Sequence, residues 1–143
     1  MFYGSYAHSL DDKGRLVIPS KMRDELGSKA YILKGFDNAL SIYKEADFEA
    51  LMNHLKSLDY NSKTVRAYVR AQLASVSELE IDRQGRALIP TALISKYHLG
   101  KEVIVIGAID HIEVWNKADY DPYEKEADSS FEEHAEELGK KDN

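Results

Sequence analysis

Residues 10–19 read Leu-Asp-Asp-Lys-Gly-Arg-Leu-Val-Ile-Pro, and residues 81–90 read Ile-Asp-Arg-Gln-Gly-Arg-Ala-Leu-Ile-Pro. Asp, Gly, Arg, Ile and Pro recur between these two stretches at a constant offset of 71 residues. A repeat of this length lies outside the range of about 20–50 residues that is typical of solenoids. Two copies of one unit therefore predict a duplicated fold with pseudo-twofold symmetry.

The repeat extends well beyond these motifs, now at an offset of 72. Residues 31–35, 41–43 and 46–48 are matched by residues 103–107, 113–115 and 118–120. We therefore divide the chain into a first repeat with a trailing helix, a linking helix, and a second repeat with an acidic C-terminal helix. These parts span residues 1–60, 61–76 and 77–143.

Each repeat is predicted to begin with two strands joined by a tight turn. Alternating polar and apolar residues favour strands over 5–11 and 77–82, and short apolar runs favour strands over 15–18 and 86–89. Gly14 and Gly85 are expected to supply the positive φ that the turns require. Pro19 and Pro90 suit the first turn of the following helices. Those helices are predicted over 20–26 and 91–99, and two more strands per repeat over 30–34, 39–43, 102–106 and 111–115.

Apolar residues at helical spacing predict three longer helices. One covers residues 45–58, and a second continues to Val76 after an N-cap at Ser62. The third is acidic, and we expect it to fray at Gly139. It carries an apolar stripe that needs a partner surface. Among the aromatic residues, Tyr43 and Trp115 are expected in the core.

Charge is distributed unevenly along the chain. The formal net charge is −6, whereas a domain that binds phosphates as a monomer is usually basic. Residues 117–143 hold ten acidic and four basic residues, so they account for the whole imbalance. The first 116 residues are neutral, which is compatible with a local basic patch but does not predict one.

Several classes of chemistry are not supported by the composition. The chain has no cysteine, and its five histidines are widely separated without the spacing of metal ligands. We therefore expect no metal, no other cofactor and no small-molecule substrate. No apolar run approaches the roughly 20 residues of a membrane span. We expect no membrane partner and a cytoplasmic location.

The same residues resemble the MraZ family over positions 1 to about 138. The resemblance rests on the opening residues 1–19, the Gly35-Phe36-Asp37 turn, Ile42-Tyr43, and the second motif from Asp82 to Pro90. It implies an α+β fold, a duplicated swapped-hairpin β-barrel related to AbrB, with flanking helices. It also implies a ring of identical subunits that regulates the division and cell-wall gene cluster. Such a ring would bind direct repeats in double-stranded promoter DNA.

The resemblance places DNA contacts on the two turns. Lys13, Arg15, Arg83 and Arg86 are the candidate DNA-binding residues, with Asp11 and Asp82 orienting the arginines and Gly14 and Gly85 shaping the turns. Guanidinium groups on a stiff hairpin can reach guanine O6 and N7 or phosphates. The alternative is that each arginine only forms an ion pair with its aspartate and so stabilises the hairpin, a role called stapling below. The second motif has Arg83-Gln84 where the first has Asp12-Lys13, so the turns need not contact DNA equivalently.

Other basic residues and other functions remain as alternatives. Lys21 is interpreted as an ordinary basic surface residue. Arg66 and Arg70, one helical turn apart, are typical of a solvated helix face. An enzyme is not supported, because no pair of nucleophile and base, phosphate loop or metal cluster is visible. A protein-interaction module that docks a partner on the acidic C-terminal helix is the alternative function.

Overall fold

The computed structural model describes residues 1–142, with side chains through Lys140. Within these residues, eight strands and six helices follow one another in the same order in both repeats. The strands are β1 (Ser5–Ser9), β2 (Arg15–Val17), β3 (Lys29–Lys34), β4 (Leu40–Lys44), β5 (Ser77–Glu80), β6 (Arg86–Leu88), β7 (Glu102–Gly107) and β8 (Ile112–Asn116). The helices are α1 (Ser20–Leu26), α2 (Glu45–Ser57), α3 (Lys63–Ala74), α4 (Thr91–Lys96), α5 (Lys117–Ser129) and α6 (Phe131–Asp142).

The two repeats exchange strands. Six strands form an antiparallel sheet in the order β1-β7-β8-β4-β3-β5, and β2 pairs with β6 in a separate two-stranded ribbon. The first strand of each repeat thus pairs with the third strand of the other, as Tyr6 opposite Val105 and Leu79 opposite Ala30 show. Single bridges from Leu10 to Leu16 and from Ile81 to Ala87 connect the sheet edges to the ribbon. The result is the swapped-hairpin barrel that the resemblance implied.

One core lies inside this barrel and is supplied by both repeats. Its fully buried side chains include Leu16, Ile32, Ile42, Val103 and Ile112. Each such side chain contributes about 1.5–3 kcal/mol when it is removed from water. Neither repeat encloses this core alone.

The termini of several elements differ from the predictions. The strands predicted to reach residues 11 and 82 end at Ser9 and Glu80, because the chain there enters the turns. Helices α1 and α4 begin at the predicted residues, Ser20 and Thr91, with Pro19 and Pro90 at the N-cap and not inside the first turn. Helix α4 ends at Lys96 and not at residue 99, since His98 takes the left-handed conformation with φ 53°.

The acidic C-terminal segment forms two helices where one was predicted. The Ser129 hydroxyl donates to the carbonyl of Glu126 at 2.9 Å, and the helix is interrupted at Ser130. Serine favours such local bonds near helix ends. The predicted fraying at Gly139 is wrong because α6 continues to Asp142; the last residue of that prediction, Asn143, lies outside the described residues.

The apolar stripe of this segment is only partly covered by the chain itself. Tyr120 and Tyr123 of α5 pack on Trp115, with ring centroids 5.2 and 4.9 Å away. Trp115 is buried, as expected, and Tyr43 is half-buried. Phe131 and Leu138 of α6 are exposed.

Candidate nucleic-acid interface

The first turn, between β1 and β2, is organised by the carboxylate of Asp11. Its Oδ1 accepts the backbone N–H groups of Lys13 and Arg15, both at 2.9 Å. The N–H of Gly14 donates to the Asp11 carbonyl at 2.9 Å, and Gly14 has φ 80°. The predicted role of Gly14 is confirmed. A short polar side chain that accepts bonds from backbone two to four residues ahead is a common way of fixing a turn.

The second turn, between β5 and β6, repeats this arrangement. Asp82 Oδ1 accepts the N–H groups of Gln84 and Arg86, both at 2.9 Å. Gly85 donates to the Asp82 carbonyl at 2.9 Å and has φ 76°, as predicted. The repeat visible in the sequence is therefore a repeat of geometry as well.

Each turn also pairs its aspartate with its arginine. Arg15 Nε donates to Asp11 Oδ2 at 2.6 Å, and Arg86 Nε donates to Asp82 Oδ2 at 2.9 Å. The hydrogen bond from the arginine backbone N–H is the main cause that lowers the pKa of each aspartate. Both carboxylates are therefore charged at neutral pH.

The pairing leaves most of each guanidinium group free. A guanidinium carries five N–H donors, and only the Nε–H of Arg15 and of Arg86 bonds to the aspartate. Each arginine side chain keeps 32% of its surface exposed. The same arginine can therefore staple its hairpin and still offer its terminal nitrogens to a ligand.

The β2–β6 ribbon places both arginines on one face. Arg15 lies opposite Leu88, and Arg86 lies opposite Val17. Since side chains alternate along a strand, these four residues share one face, while Leu16 and Ala87 point into the core and are fully buried. Diagonal neighbours of this kind are roughly 7–8 Å apart. Arg15 and Arg86 are thus neighbouring basic residues on the outer face of the ribbon.

Backbone hydrogen bonds also connect each turn to the strand end that follows the other turn. The Gly85 carbonyl accepts the N–H of Ile18 at 2.7 Å, and the Gly14 carbonyl accepts the N–H of Ile89 at 2.9 Å. Lys13 and Arg83 lie exposed on the turns. All four predicted basic residues therefore belong to the ribbon and its two turns.

The sequence reading missed two residues beside these turns. Leu88 is on the outer face of the ribbon with 60% of its surface exposed, and strict alternation from Arg86 could have predicted this. Arg23 of α1 donates from Nε to the Ile18 carbonyl at 2.8 Å and lies against Gly85. No spacing in the sequence indicates that contact.

The other basic residues singled out from the sequence lie outside these turns. Arg66 Nη1 donates to the carbonyls of Tyr60 and Asn61 at 3.2 and 2.9 Å. The guanidinium of Arg70 lies 6.0 Å from the ring centroid of Tyr60. Both arginines therefore contact the connection between α2 and α3.

No helix within residues 1–142 is long and apolar enough to cross a bilayer.

Comparison with known proteins agrees with the duplicated structure. The family described as "MraZ protein, putative antitoxin-like" matches residues 1–71 and again residues 73–142. A protein of Acetivibrio thermocellus is 44% identical over 138 residues, covering 96% of both chains. One from Caldanaerobacter subterraneus is 43% identical over the same length and the same shares. One from Alkaliphilus metalliredigens is 42% identical over 142 residues, covering 97% of this chain and 99% of its own.

All three relatives carry the name "Transcriptional regulator MraZ". The family matches each half of the chain separately, and each half contains one Asp-x-x-x-Arg turn. From the strand exchange, the paired turns and these two matches, we conclude that the chain belongs to the MraZ family.

Proposed function

We propose that this protein is a DNA-binding transcriptional regulator, without enzymatic activity, that acts in the cytoplasm at the nucleoid. The observation that carries the proposal is the shared outer face of the β2–β6 ribbon, where Arg15 and Arg86 lie together. The names of the relatives, all transcriptional regulators, support the same function.

The ribbon has the form that the major groove of DNA can accept. A two-stranded β-ribbon fits that groove, and an arginine there can bind guanine O6 and N7 with two parallel hydrogen bonds. The free terminal nitrogens of Arg15 and Arg86 would make these contacts, with Asp11 and Asp82 holding the guanidinium planes in place. Lys13 and Arg83, at the turns, would contact phosphates.

We further propose that identical subunits form a closed ring whose subunits bind direct repeats in the promoter of the division and cell-wall gene cluster. A single subunit with a net charge of −6 is a poor ligand for a polyanion. Suppose that one subunit binds DNA with Kd of about 10⁻⁴ M. At an effective concentration of about 10⁻³ M, each further subunit then raises the affinity of the assembly roughly tenfold. A ring of subunits could therefore bind DNA tightly even though each chain carries a net negative charge.

Removal of both ribbon arginines tests this function. We expect the Arg15→Ala/Arg86→Ala variant to lose binding to a labelled duplex from the region upstream of its own gene, measured by fluorescence anisotropy. The melting temperature should fall by only a few degrees, since an exposed ion pair contributes roughly 0–1 kcal/mol. The loss of base contacts should also reduce discrimination between this duplex and a scrambled one.

Arg70→Ala is the matched control, because it removes an exposed arginine that lies against Tyr60 and outside both turns. It should bind the duplex like the unmodified protein. Unchanged affinity in the double variant, together with a lowered melting temperature, would mean that the arginines only staple the hairpins.

The alternative function is a protein-interaction module whose partner docks on the acidic C-terminal helices. The exposed Phe131 and Leu138 favour it, with 69% and 63% of their surfaces accessible. Duplex binding that survives the loss of Arg15 and Arg86 would favour this alternative.

A further inference from the structure

The two turns match in their backbones but differ in what covers their glycines. A methyl group added at Gly14 would come within 2.8 Å of Ile94 Cδ1, whereas one added at Gly85 would overlap the guanidinium group of Arg23. Arg23 and Ile94 are equivalent positions of the repeat, 71 residues apart like the motifs themselves. An arginine therefore covers the second turn where an isoleucine covers the first.

Arg23 is fixed in this place by a specific bond. Its Nε–H donates to the carbonyl of Ile18 at 2.8 Å, at the end of the ribbon strand β2. Gly85 has no side chain, so the guanidinium can lie directly against the turn. Arg23 is half-buried, and it lines the same depression as Arg83 and Asp82.

The terminal nitrogens of Arg23 have no anionic partner within residues 1–140. None of the ion pairs among these side chains includes Arg23. A shallow depression between α1 and the second turn is lined by Arg23, Gly85, Arg83, Asp82 and the neighbouring Asp24. A guanidinium held in place beside a depression with its terminal donors unused suits a phosphate oxygen.

The two turns differ in how a cation is held and not in net charge. Asp24 offsets Arg23 in the depression beside the second turn, and Lys101 lines the equivalent depression beside the first turn. What distinguishes the second turn is a guanidinium group that a hydrogen bond to Ile18 holds in place.

On the basis of the proposed function, we propose that Arg23 is a further DNA-binding residue of this protein, one that contacts a backbone phosphate beside the second turn. Ile94, at the equivalent position beside the first turn, cannot make this contact.

The Arg23→Gln variant tests this role without removing the structural bond. The Nε2 amide of glutamine follows the same three side-chain carbons as Nε of arginine, so it can still donate to Ile18, but it carries no charge. We expect roughly fivefold weaker binding per engaged subunit at about 0.15 M salt, the loss that corresponds to one released counterion. The slope of log affinity against log salt should become shallower by about one per engaged subunit.

The assay compares the duplex from the protein's own upstream region with a scrambled duplex, by anisotropy over a range of salt. Lys21→Gln is the matched control, since Lys21 is an exposed cation of the same helix that does not line the depression. It should leave affinity and salt slope close to those of the unmodified protein. Asp24→Asn should strengthen binding, because it removes a negative charge from the depression.

The possible outcomes separate the two proposals. Weaker binding by Arg23→Gln with unchanged discrimination between the duplexes supports a phosphate contact. Lost discrimination would overturn that assignment in favour of base reading, and unchanged affinity and slope would make Arg23 structural only. If the unmodified protein binds neither duplex, the proposed function fails and this inference fails with it.

Discussion

At the scale of single residues, the aspartate–arginine pair of each turn is compatible with both a structural role in the hairpin and a contact to DNA. Each arginine uses Nε to hold its hairpin and keeps its terminal nitrogens free. The sequence motif could predict the pairing because an arginine four residues after an aspartate faces it across the turn. It could not predict Arg23, whose contact with Gly85 depends on how α1 of the first repeat packs against the second.

Substitution of the turn glycines tests this local geometry. Gly14→Ala and Gly85→Ala should each lower the free energy of unfolding by about 1–2 kcal/mol, because alanine at φ 80° or 76° is strained. Gly85→Ala should also weaken duplex binding, since the new methyl group displaces Arg23. Urea unfolding and anisotropy measure the two effects.

Gly139→Ala is a suitable control for both glycine variants. Gly139 lies in α6 with no atom within 4 Å of an added methyl group, and it has no positive φ. We expect unfolding of the barrel to be unchanged in this variant. An equal loss of stability in all three variants would show that turn strain is not the cause.

At the scale of elements, the sequence predicted the type of every strand and helix but not their partners. Alternation along residues 5–9 indicates a strand, yet it is equally compatible with pairing inside the first repeat or with β7 of the second. Only the family resemblance implied the exchange. Helix limits were less predictable: apolar spacing indicated one acidic helix, whereas the chain leaves the helical conformation at Ser130, with φ −102° and ψ 10°.

The C-terminal helices should differ in their importance for folding. All side chains from residue 131 to 140 are exposed, so truncation after Asp128 should leave cooperative thermal unfolding intact, with a melting temperature within a few degrees. Circular dichroism measures this transition. A barrel that no longer unfolds cooperatively would show that α6 is structural.

Truncation after Asn116 provides the contrast. It removes Tyr120 and Tyr123, whose rings pack on Trp115. Aromatic pairs of this kind contribute about 0.5–1.5 kcal/mol each beyond the buried area. This longer truncation should therefore lower the melting temperature clearly more than the shorter one.

At the scale of the whole molecule, we expect a large homo-oligomer in dilute buffer. Exposed apolar side chains at one end of the barrel favour such assembly: Tyr3 is 72% exposed and Ile109 is 71% exposed. Tyr3 lies near Ile109 because the neighbouring residue, Phe2, forms a β-bridge with Ile109. Light scattering should give a mass that is a multiple of 16.2 kDa, and a stable monomer at micromolar concentration would contradict the ring.

Ile109→Asn sharpens the measurement of assembly. Ile109 has φ 72°, which is unusual for a β-branched residue and which asparagine tolerates. The variant should therefore fold at least as well while losing apolar surface. A reduced mass in light scattering would place this end of the barrel in the subunit contact, and an unchanged mass would place the contact elsewhere.

The exchange of strands between the repeats also delays folding during synthesis, because strands of the first repeat pair with strands that are made much later. Once the first 60 residues have left the ribosome, β3 and β4 can pair, but β1 and β2 still lack β7 and β6. At about 5–20 residues per second, β1 waits roughly 5–20 s for its partner strand to be made. During that interval the nascent chain exposes an unpaired edge. Chaperones that bind exposed strand edges can act on the chain during this interval, and the barrel closes only after β7 has been made.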